Sequence, residues 1–289
     1  MVEKDLMTWQ IFIALSVVFY SISVLLQRSI LKESNSQPVA FSIFFQLLVG
    51  IIIGITGFFL GQSSLPPLGP FAFFLALVTC LYGFGNAFLF KSLQITEASK
   101  FTVLFSCRAF FTILASTLFL QEGLGPKQLV GVLCIFSAVA IVSLKSTRFE
   151  FNKGDLFALI AAMCMGLANT IDRHLLQHLL LYPYVSFSFI VPSLFTAVMQ
   201  PKEVKHLPLF WKKNLLPKVL LLCFLYSLAA ITFYNALFLG TNSSQVISVN
   251  LTNVIVITVL SIFFLKERDN IPKKVIGAAL SFVGLLLLS

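Results

Sequence analysis

The chain has 289 residues, of which 58% are hydrophobic and only 11% are charged, and its mean hydropathy is +0.97. A soluble domain carries about 25% charged residues because water must wet its surface, so this composition excludes an ordinary soluble globule. The net charge of +9 does not indicate nucleic-acid binding, since the basic residues fall between apolar runs and form no stripe that could follow phosphates.

Apolar runs predict an all-α integral membrane protein with ten transmembrane helices. A spanning helix needs roughly 20 mostly apolar residues. No cleavable signal peptide is expected, because only a short polar stretch precedes the first run. We therefore expect a multi-pass protein of the cell (inner) membrane. In chain order, the predicted helices are 8–27, 38–60, 70–91, 98–120, 127–145, 155–177, 183–199, 216–239, 244–265 and 272–288.

The sequence matches itself at an offset of 145 residues. Apolar coincidences carry no weight in such a chain, but polar and proline coincidences at one offset are rarer. The pairs are Arg28 with Arg173, Pro38 with Pro183, Ser99 with Ser244 and Glu122 with Glu267. We predict two five-helix repeats, 1–147 and 148–289. An odd number of helices inverts the second repeat in the membrane, as in secondary transporters whose substrate binds near the midplane.

The stretches 99–143 and 244–289 share a fuller pattern. Each has a helix that starts with small residues, a Phe-Leu-x-Glu turn, and a next helix that opens near Pro126 or Pro272 with an early glycine. In this the chain resembles the EamA-type branch of the drug/metabolite transporter superfamily, and the tandem arrangement covers essentially the whole chain. The resemblance implies transport. It does not fix the substrate, because members move amino acids, their derivatives, nucleotide-type metabolites and drugs.

The acidic residues bear on how transport could be driven. All eleven are expected at helix ends or in loops. Small multidrug exporters related to this superfamily use a carboxylate in the first helix to bind cations and exchange protons, whereas the first helix here has Tyr20, Ser21 and Ser23. A proton-coupled exporter of drugs or cations is therefore the alternative function.

One basic residue is predicted at membrane depth. Arg108 lies near the middle of 98–120, and the 145-residue offset places Asn253 at the corresponding position, with Asn250 one turn earlier. A guanidinium suits a carboxylate or phosphate, so we predict that Arg108 binds an anionic group of the substrate and the asparagines add hydrogen bonds. The alternative is that helix-end carbonyls or Asp172 satisfy Arg108 and that the asparagines join helices.

Further polar residues are predicted to contact substrate. Asn169 and Asp172 share a face with Arg173 near the end of the sixth helix, where the alternative role is to anchor that helix at the headgroups. Three residues stand among aromatic side chains and are predicted to line the cavity, the alternative being packing: Asn86, Tyr234 and Asn235.

No enzyme motif is present, since there is no P-loop pattern and no nucleophile with a suitably spaced histidine and acid. The cysteines lie inside apolar runs, and His174 and His178 lack a third ligand, so no metal or other cofactor is expected. We predict a secondary transporter, driven by a gradient or by exchange, for an amino acid or a related anionic or zwitterionic metabolite. Its partners are the small-molecule substrate and the lipid bilayer, not nucleic acid, as a monomer or homodimer. A structural membrane subunit is a less favoured alternative.

Basic residues also predict the orientation. Sixteen of the 20 lysines and arginines lie in or beside the odd-numbered connections between helices. The positive-inside rule places those connections in the cytoplasm and both termini outside, whereas the family resemblance implies termini inside.

Overall fold

The computed structural model describes the chain except for residues 1, 34–36, 63, 65–67, 121–124, 146–147, 150, 240–249, 251, 267–269 and 289. The described residues are almost entirely helical. A two-stranded antiparallel hairpin, β1 (Leu144–Lys145) and β2 (Arg148–Phe149), joins the halves, and a short 3₁₀ helix (Leu207–Trp211) precedes α10. The helices are α1 (Val2–Glu33), α2 (Pro38–Phe59), α3 (Leu68–Ile95), α4 (Ala98–Phe105), α5 (Arg108–Leu120), α6 (Pro126–Ser143), α7 (Lys153–Leu176), α8 (Leu181–Met199), α9 (Pro201–Val204), α10 (Leu216–Leu239), α11 (Asn253–Phe264) and α12 (Ile271–Leu288).

Six segments of the described chain are long and apolar enough to cross a membrane. They agree with six of the ten predicted spans, while the described apolar parts of α6 and α11 are shorter, at Val130–Val142 and Asn253–Phe264. The count of ten therefore stays a prediction. The six segments are Trp9–Lys32, Pro38–Phe59, Gly69–Ile95, Lys153–Leu176, Leu181–Met199 and Leu216–Ala236.

The predicted fourth span, 98–120, is not one continuous helix. α4 ends at Phe105 and α5 begins at Arg108, with a turn between them. The chain tightens here, because the backbone N–H of Cys107 donates to the carbonyl of Leu104, three residues back instead of four, at 3.2 Å. Hydropathy does not reveal this interruption, since neither proline nor glycine marks it.

The second repeat has a turn at the corresponding place. α11 begins at Asn253, which follows the start of α5 at Arg108 by the repeat offset (253 − 108 = 145). Thr252 lies in a turn, and its carbonyl accepts from the N–H groups of Ile255 and Val256, both at 3.1 Å. The predicted helix 244–265 is thus described only in part, because 244–249 and 251 lie outside the described residues. Each helix after the turn begins with a polar side chain.

Helix packing follows the same internal symmetry. α1 packs on α10 as α7 packs on α3, and α2 pairs with α8 as α6 pairs with α12. α2 and α8 hold the same place in the two repeats and run antiparallel. Ser186 donates to the carbonyl of Gly50, and Ser193, further along α8, donates to the earlier carbonyl of Ile43, both at 2.8 Å. Serine is small enough to let the two backbones approach while its hydroxyl joins them.

Odd-numbered connections between the predicted spans meet at one end of the bundle. Nζ of Lys100 lies 2.8 Å from Asp155 Oδ2, and Nζ of Lys274 lies 2.6 Å from Glu97 Oε2. Arg28 donates to two carbonyls at the end of α3, at 2.5 and 2.6 Å. These contacts join the first, third, fifth and ninth connections, so these three basic residues lie at the same end of the bundle.

Candidate functional site

A cleft lies between the two repeats beside the turn that separates α4 from α5. α1, α4 and α5 supply its wall from the first repeat, and α11 supplies the wall from the second. Its cavity volume is only about 20 Å³, far below the range of about 300–1,000 Å³ for ligand pockets, so the walls lie close together. The lining residues are Tyr20, Val24, Phe101, Thr102, Phe105, Ser106, Arg108, Asn253, Val254 and Ile257.

Arg108 brings a positive charge to this cleft. It is half-buried at the first position of α5, and its Cζ lies 5.0 Å from the centroid of the Phe105 ring. No carboxylate pairs with it among the described residues. The ring contact contributes about 0.5–2 kcal/mol, which does not satisfy the five N–H donors of a guanidinium. Arg108 therefore has donors available for an anion in the cleft.

Asn253 faces the cleft from the second repeat. The residue is only 4% exposed, and its side-chain amide makes no hydrogen bond to any described residue. The amide therefore has two N–H donors and a carbonyl acceptor for a ligand in the cleft. Tyr20 of α1 adds a phenol, and its ring centroid lies 6.0 Å from that of Tyr226.

Asp172 is enclosed away from the cleft. It is 6% exposed, and the hydroxyls of Tyr82 and Tyr184 donate to its two carboxylate oxygens. Although Asp172 is close to the end of α7, Tyr82 lies near the middle of α3, so the carboxylate sits inside the bundle. It is therefore not the counter-charge of Arg108. The tyrosines that hold it are distant in sequence, so no local pattern indicated them.

Two predicted site residues are occupied by contacts between helices. Asn86 donates to Oε1 of Gln46 at 3.0 Å, and Asn235 donates to the hydroxyl of Tyr182 at 3.2 Å. Neither residue lines the cleft. These bonds are of the kind that joins membrane helices, and substrate binding by the two asparagines stays a prediction.

The remaining predicted residues also lie outside the cleft lining. Asn169 and Asn250 are half-buried, and the residues on both sides of Asn250 lie outside the described part of the chain. Tyr234 is half-buried in α10 with its ring centroid 5.5 Å from that of Phe233. That these residues contact the substrate stays a prediction.

Among the described residues, no group of three or more His, Cys, Asp or Glu side chains is placed to hold a metal ion. The rings of His174 and His178 lie with centroids 5.4 Å apart and contact phenylalanines of α3. The two histidines therefore pack against an aromatic surface.

Fold and cleft together define a class: a helical multi-pass membrane protein of two repeats, with a polar cleft between them. The sequence matches the profile of the EamA-like transporter family twice, over residues 7–144 and 152–289. The two matches begin one repeat offset apart (152 − 7 = 145). The chain belongs to the EamA-like transporter family, and it is a membrane transporter of the drug/metabolite type.

The fold also occurs among solved structures. One of them, described only as "Crystal structure of protein", matches with a TM-score of 0.62 and 13% sequence identity, over 96% of this chain and 95% of that chain. At this identity the likeness shows the fold alone. No curated protein matches the sequence at a significant level.

Proposed function

We propose that the protein is a secondary transporter that moves a small organic metabolite with an anionic group, such as an amino acid or a related solute, across the inner membrane. The observation that carries this proposal is the unpaired guanidinium of Arg108 in the cleft between the repeats. An ionisable side chain at membrane depth marks a substrate or ion pathway, because nothing else offsets its desolvation.

A carboxylate fits the cleft in a defined way. The planar fork of Arg108 can donate two parallel hydrogen bonds to it, and the Asn253 amide can hydrogen-bond to a second polar group of the ligand. Phe105 and Val254 supply apolar walls. The cleft holds only about 20 Å³ as it stands, so the two repeats must move apart to admit a metabolite.

Alternating access follows from the position of these groups on different repeats. We infer that the two repeats are inverted in the membrane, since α2 and α8 hold equivalent places and run antiparallel. A ligand that bridges Arg108 and Asn253 stabilises the state in which the repeats close around it. The tight turn beside Arg108 is a point at which α5 can reorient relative to α4, as mid-helix 3₁₀ segments often mark hinges.

Export of a cation or cationic drug is disfavoured by the charge of the cleft. No aspartate or glutamate lines it among the described residues, and Arg108 repels a positive ligand. Two like charges about 4 Å apart repel each other by about 4 kcal/mol at an effective dielectric constant of about 20. That repulsion is large enough to make the cleft bind an anion in preference to a cation.

Ligand-induced stabilisation of the purified protein tests the proposal. The ligands are L-amino acids, dicarboxylates, sugar phosphates and a quaternary ammonium ion. The variants are Arg108→Gln, Arg108→Lys and a control, Lys91→Gln, which removes a lysine that lies 5.6 Å from the Phe88 ring centroid outside the cleft. A ligand at about 100 times its Kd stabilises a protein by about 2.7 kcal/mol.

We expect anionic or zwitterionic ligands to stabilise the wild type and Lys91→Gln, to act weakly on Arg108→Lys, and to lose their effect on Arg108→Gln. Stabilisation by the quaternary ammonium ion, or an undiminished response of Arg108→Gln to anions, would contradict the proposal.

A further inference from the structure

Two buried carboxylates on α7 have very different surroundings. Asp155 is fully buried, pairs with Lys100 at 2.8 Å, and completes a capping box with Asn152 at the start of the helix. Asp172 is almost as deeply buried, but among the described residues its hydrogen bonds come from the hydroxyls of Tyr82 and Tyr184 alone. Within that part of the chain, one carboxylate thus has a counter-charge and the other has only neutral donors.

The ionisable groups near Asp172 can be given helix by helix. α3 contributes Tyr82, α8 contributes Tyr184, and α10 brings Tyr234 within electrostatic range. α4 and α5 also pack on α7, but their ionisable residues are Lys100, which pairs with Asp155, and Arg108, which lines the cleft. On α7 itself the exposed His174 lies against the Phe74 ring, and the side chain of Arg173 is outside the described part. Within the described residues, no cation pairs with Asp172.

A carboxylate in the membrane interior with no counter-charge is costly, and such residues mark proton or ion pathways. A metal cation would need several further oxygen ligands around Asp172, and the described residues offer only the two tyrosine hydroxyls. A proton needs no other ligand than the carboxylate. When Asp172 is protonated, it donates to one tyrosine oxygen and still accepts from the other.

A line of phenols joins this carboxylate to the cleft. Tyr226 and Tyr234 both lie on α10, and Tyr234 is near Asp172 and Tyr226. The ring centroid of Tyr226 lies 6.0 Å from that of Tyr20, and Tyr20 lines the cleft together with Arg108. The two sites therefore lie in one polar seam through an otherwise apolar bundle, close enough for charge at one to affect the other.

We propose that Asp172 is the proton-binding site of this transporter, and that its protonation is coupled to anion binding beside Arg108. The proposal rests on the proposed function. In a medium of low dielectric constant, an anion in the cleft and an ionised Asp172 repel each other. A bound anion therefore favours the protonated form of Asp172. Because coupling is reciprocal, a proton on Asp172 also favours the anion. The proton enters from water on one side, binds one carboxylate oxygen, and leaves to water on the other side together with the substrate.

Infrared spectroscopy of the protein in lipid nanodiscs tests the proton site without any substrate. We expect a carboxylic-acid C=O band that disappears reversibly as the pH is raised, is missing in Asp172→Asn, and shifts when Tyr82→Phe and Tyr184→Phe remove the hydroxyls bound to it. The control is Glu97→Gln, which removes a carboxyl that is paired with Lys274 and should keep the band. A wild type with no such band, or a band that survives in Asp172→Asn, overturns the proposal.

Transport by proteoliposomes tests the coupling, with a pool of carbon-14-labelled L-amino acids as the probe. With acid outside, the wild type and Glu97→Gln should accumulate label. Asp172→Asn should lose accumulation, so that the internal label only equals the external concentration, but retain exchange of label across equal concentrations. Full accumulation by Asp172→Asn, or loss of exchange as well, overturns the coupling. If the wild type takes up no label, the substrate class is wrong, and the infrared band alone decides whether Asp172 binds the proton.

Discussion

Replacing Arg108 should weaken ligand binding and at the same time make the protein more stable. Most buried arginines behave in the opposite way, because they are held by partners that their removal would leave unsatisfied. Arg108 has the Phe105 ring but no carboxylate among the described residues. Arg108→Gln therefore removes an unsatisfied charge and keeps a polar side chain of similar reach.

The magnitudes come from these contacts. An arginine at the centre of a membrane helix costs about 2.5–3.5 kcal/mol, and the Phe105 contact offsets about 0.5–2 kcal/mol of this. Arg108→Gln should thus gain about 0.5–3 kcal/mol of stability, which raises the Tm, given about 2–4 °C per kcal/mol for a large domain. Hydrogen bonds to a charged group contribute about 1.5–3 kcal/mol, so affinity for an anion should fall about 10- to 100-fold.

Thermal unfolding in detergent, with and without the anionic ligand, measures both effects. The matched variant is Arg28→Gln, because Arg28 is 8% exposed and donates to two carbonyls at the end of α3. We expect Arg28→Gln to lower the Tm and Arg108→Gln to raise it. If Arg108→Gln lowers the Tm as much as Arg28→Gln does, Arg108 is a structural residue and the reasoning is wrong.

Three further changes test the same arrangement. Gly166→Ala should lower the Tm and the yield of folded protein, because a Cβ there would lie 2.5 Å from the carbonyl oxygen of Arg108. Thermal unfolding and size-exclusion chromatography measure these effects, and an unchanged Tm would contradict the close packing of α5 on α7. Asn253→Asp should place a carboxylate beside Arg108 and abolish the binding of anions in the thermal assay while the protein stays folded. Undiminished binding would show that Asn253 and Arg108 do not bind the same anion. Glu97→Lys should reduce stability by about 1 kcal/mol or less, since the pair is partly exposed, and the added change Lys274→Glu should restore it; failure of that rescue would show that the ion pair does not contribute.

The repeat could be predicted from sequence because it rests on residues that seldom coincide. Proline and charged residues at matching positions gave an offset of 145, and the two family matches begin the same distance apart. Hydropathy then located six long apolar helices to within a few residues, since lipid demands an unbroken apolar surface.

The interruption before Arg108 could not be predicted in this way. The residues on either side of the turn are as helical and as apolar as those of a continuous span, and the tightening depends on three-residue backbone bonds that no side-chain pattern announces. The 145-residue offset did pair Arg108 with Asn253, and both residues line the cleft. The pairing succeeded because the repeat relates positions in the fold, whichever residue types occupy them.

The surroundings of Asp172 lay beyond sequence reasoning for a different reason. Its partners, Tyr82 and Tyr184, come from two other helices, and only the packing of α3 and α8 around α7 brings them to the carboxylate. A usable signal was present nevertheless. A tyrosine inside a membrane span carries a hydroxyl that needs a hydrogen-bond partner, which phenylalanine would avoid, so the tyrosines among 32 phenylalanines mark a polar seam.

The central claim is that substrate passes through the cleft beside Arg108, and uptake by proteoliposomes tests it most directly. The protein is reconstituted as wild type, Arg108→Gln and Lys91→Gln, and the probe is whichever carbon-14-labelled amino acid or dicarboxylate stabilises the wild type. We expect saturable uptake by the wild type and Lys91→Gln, and uptake by Arg108→Gln reduced to the level of empty liposomes. Equal uptake by wild type and by Arg108→Gln, at matched levels of folded protein, would contradict the claim.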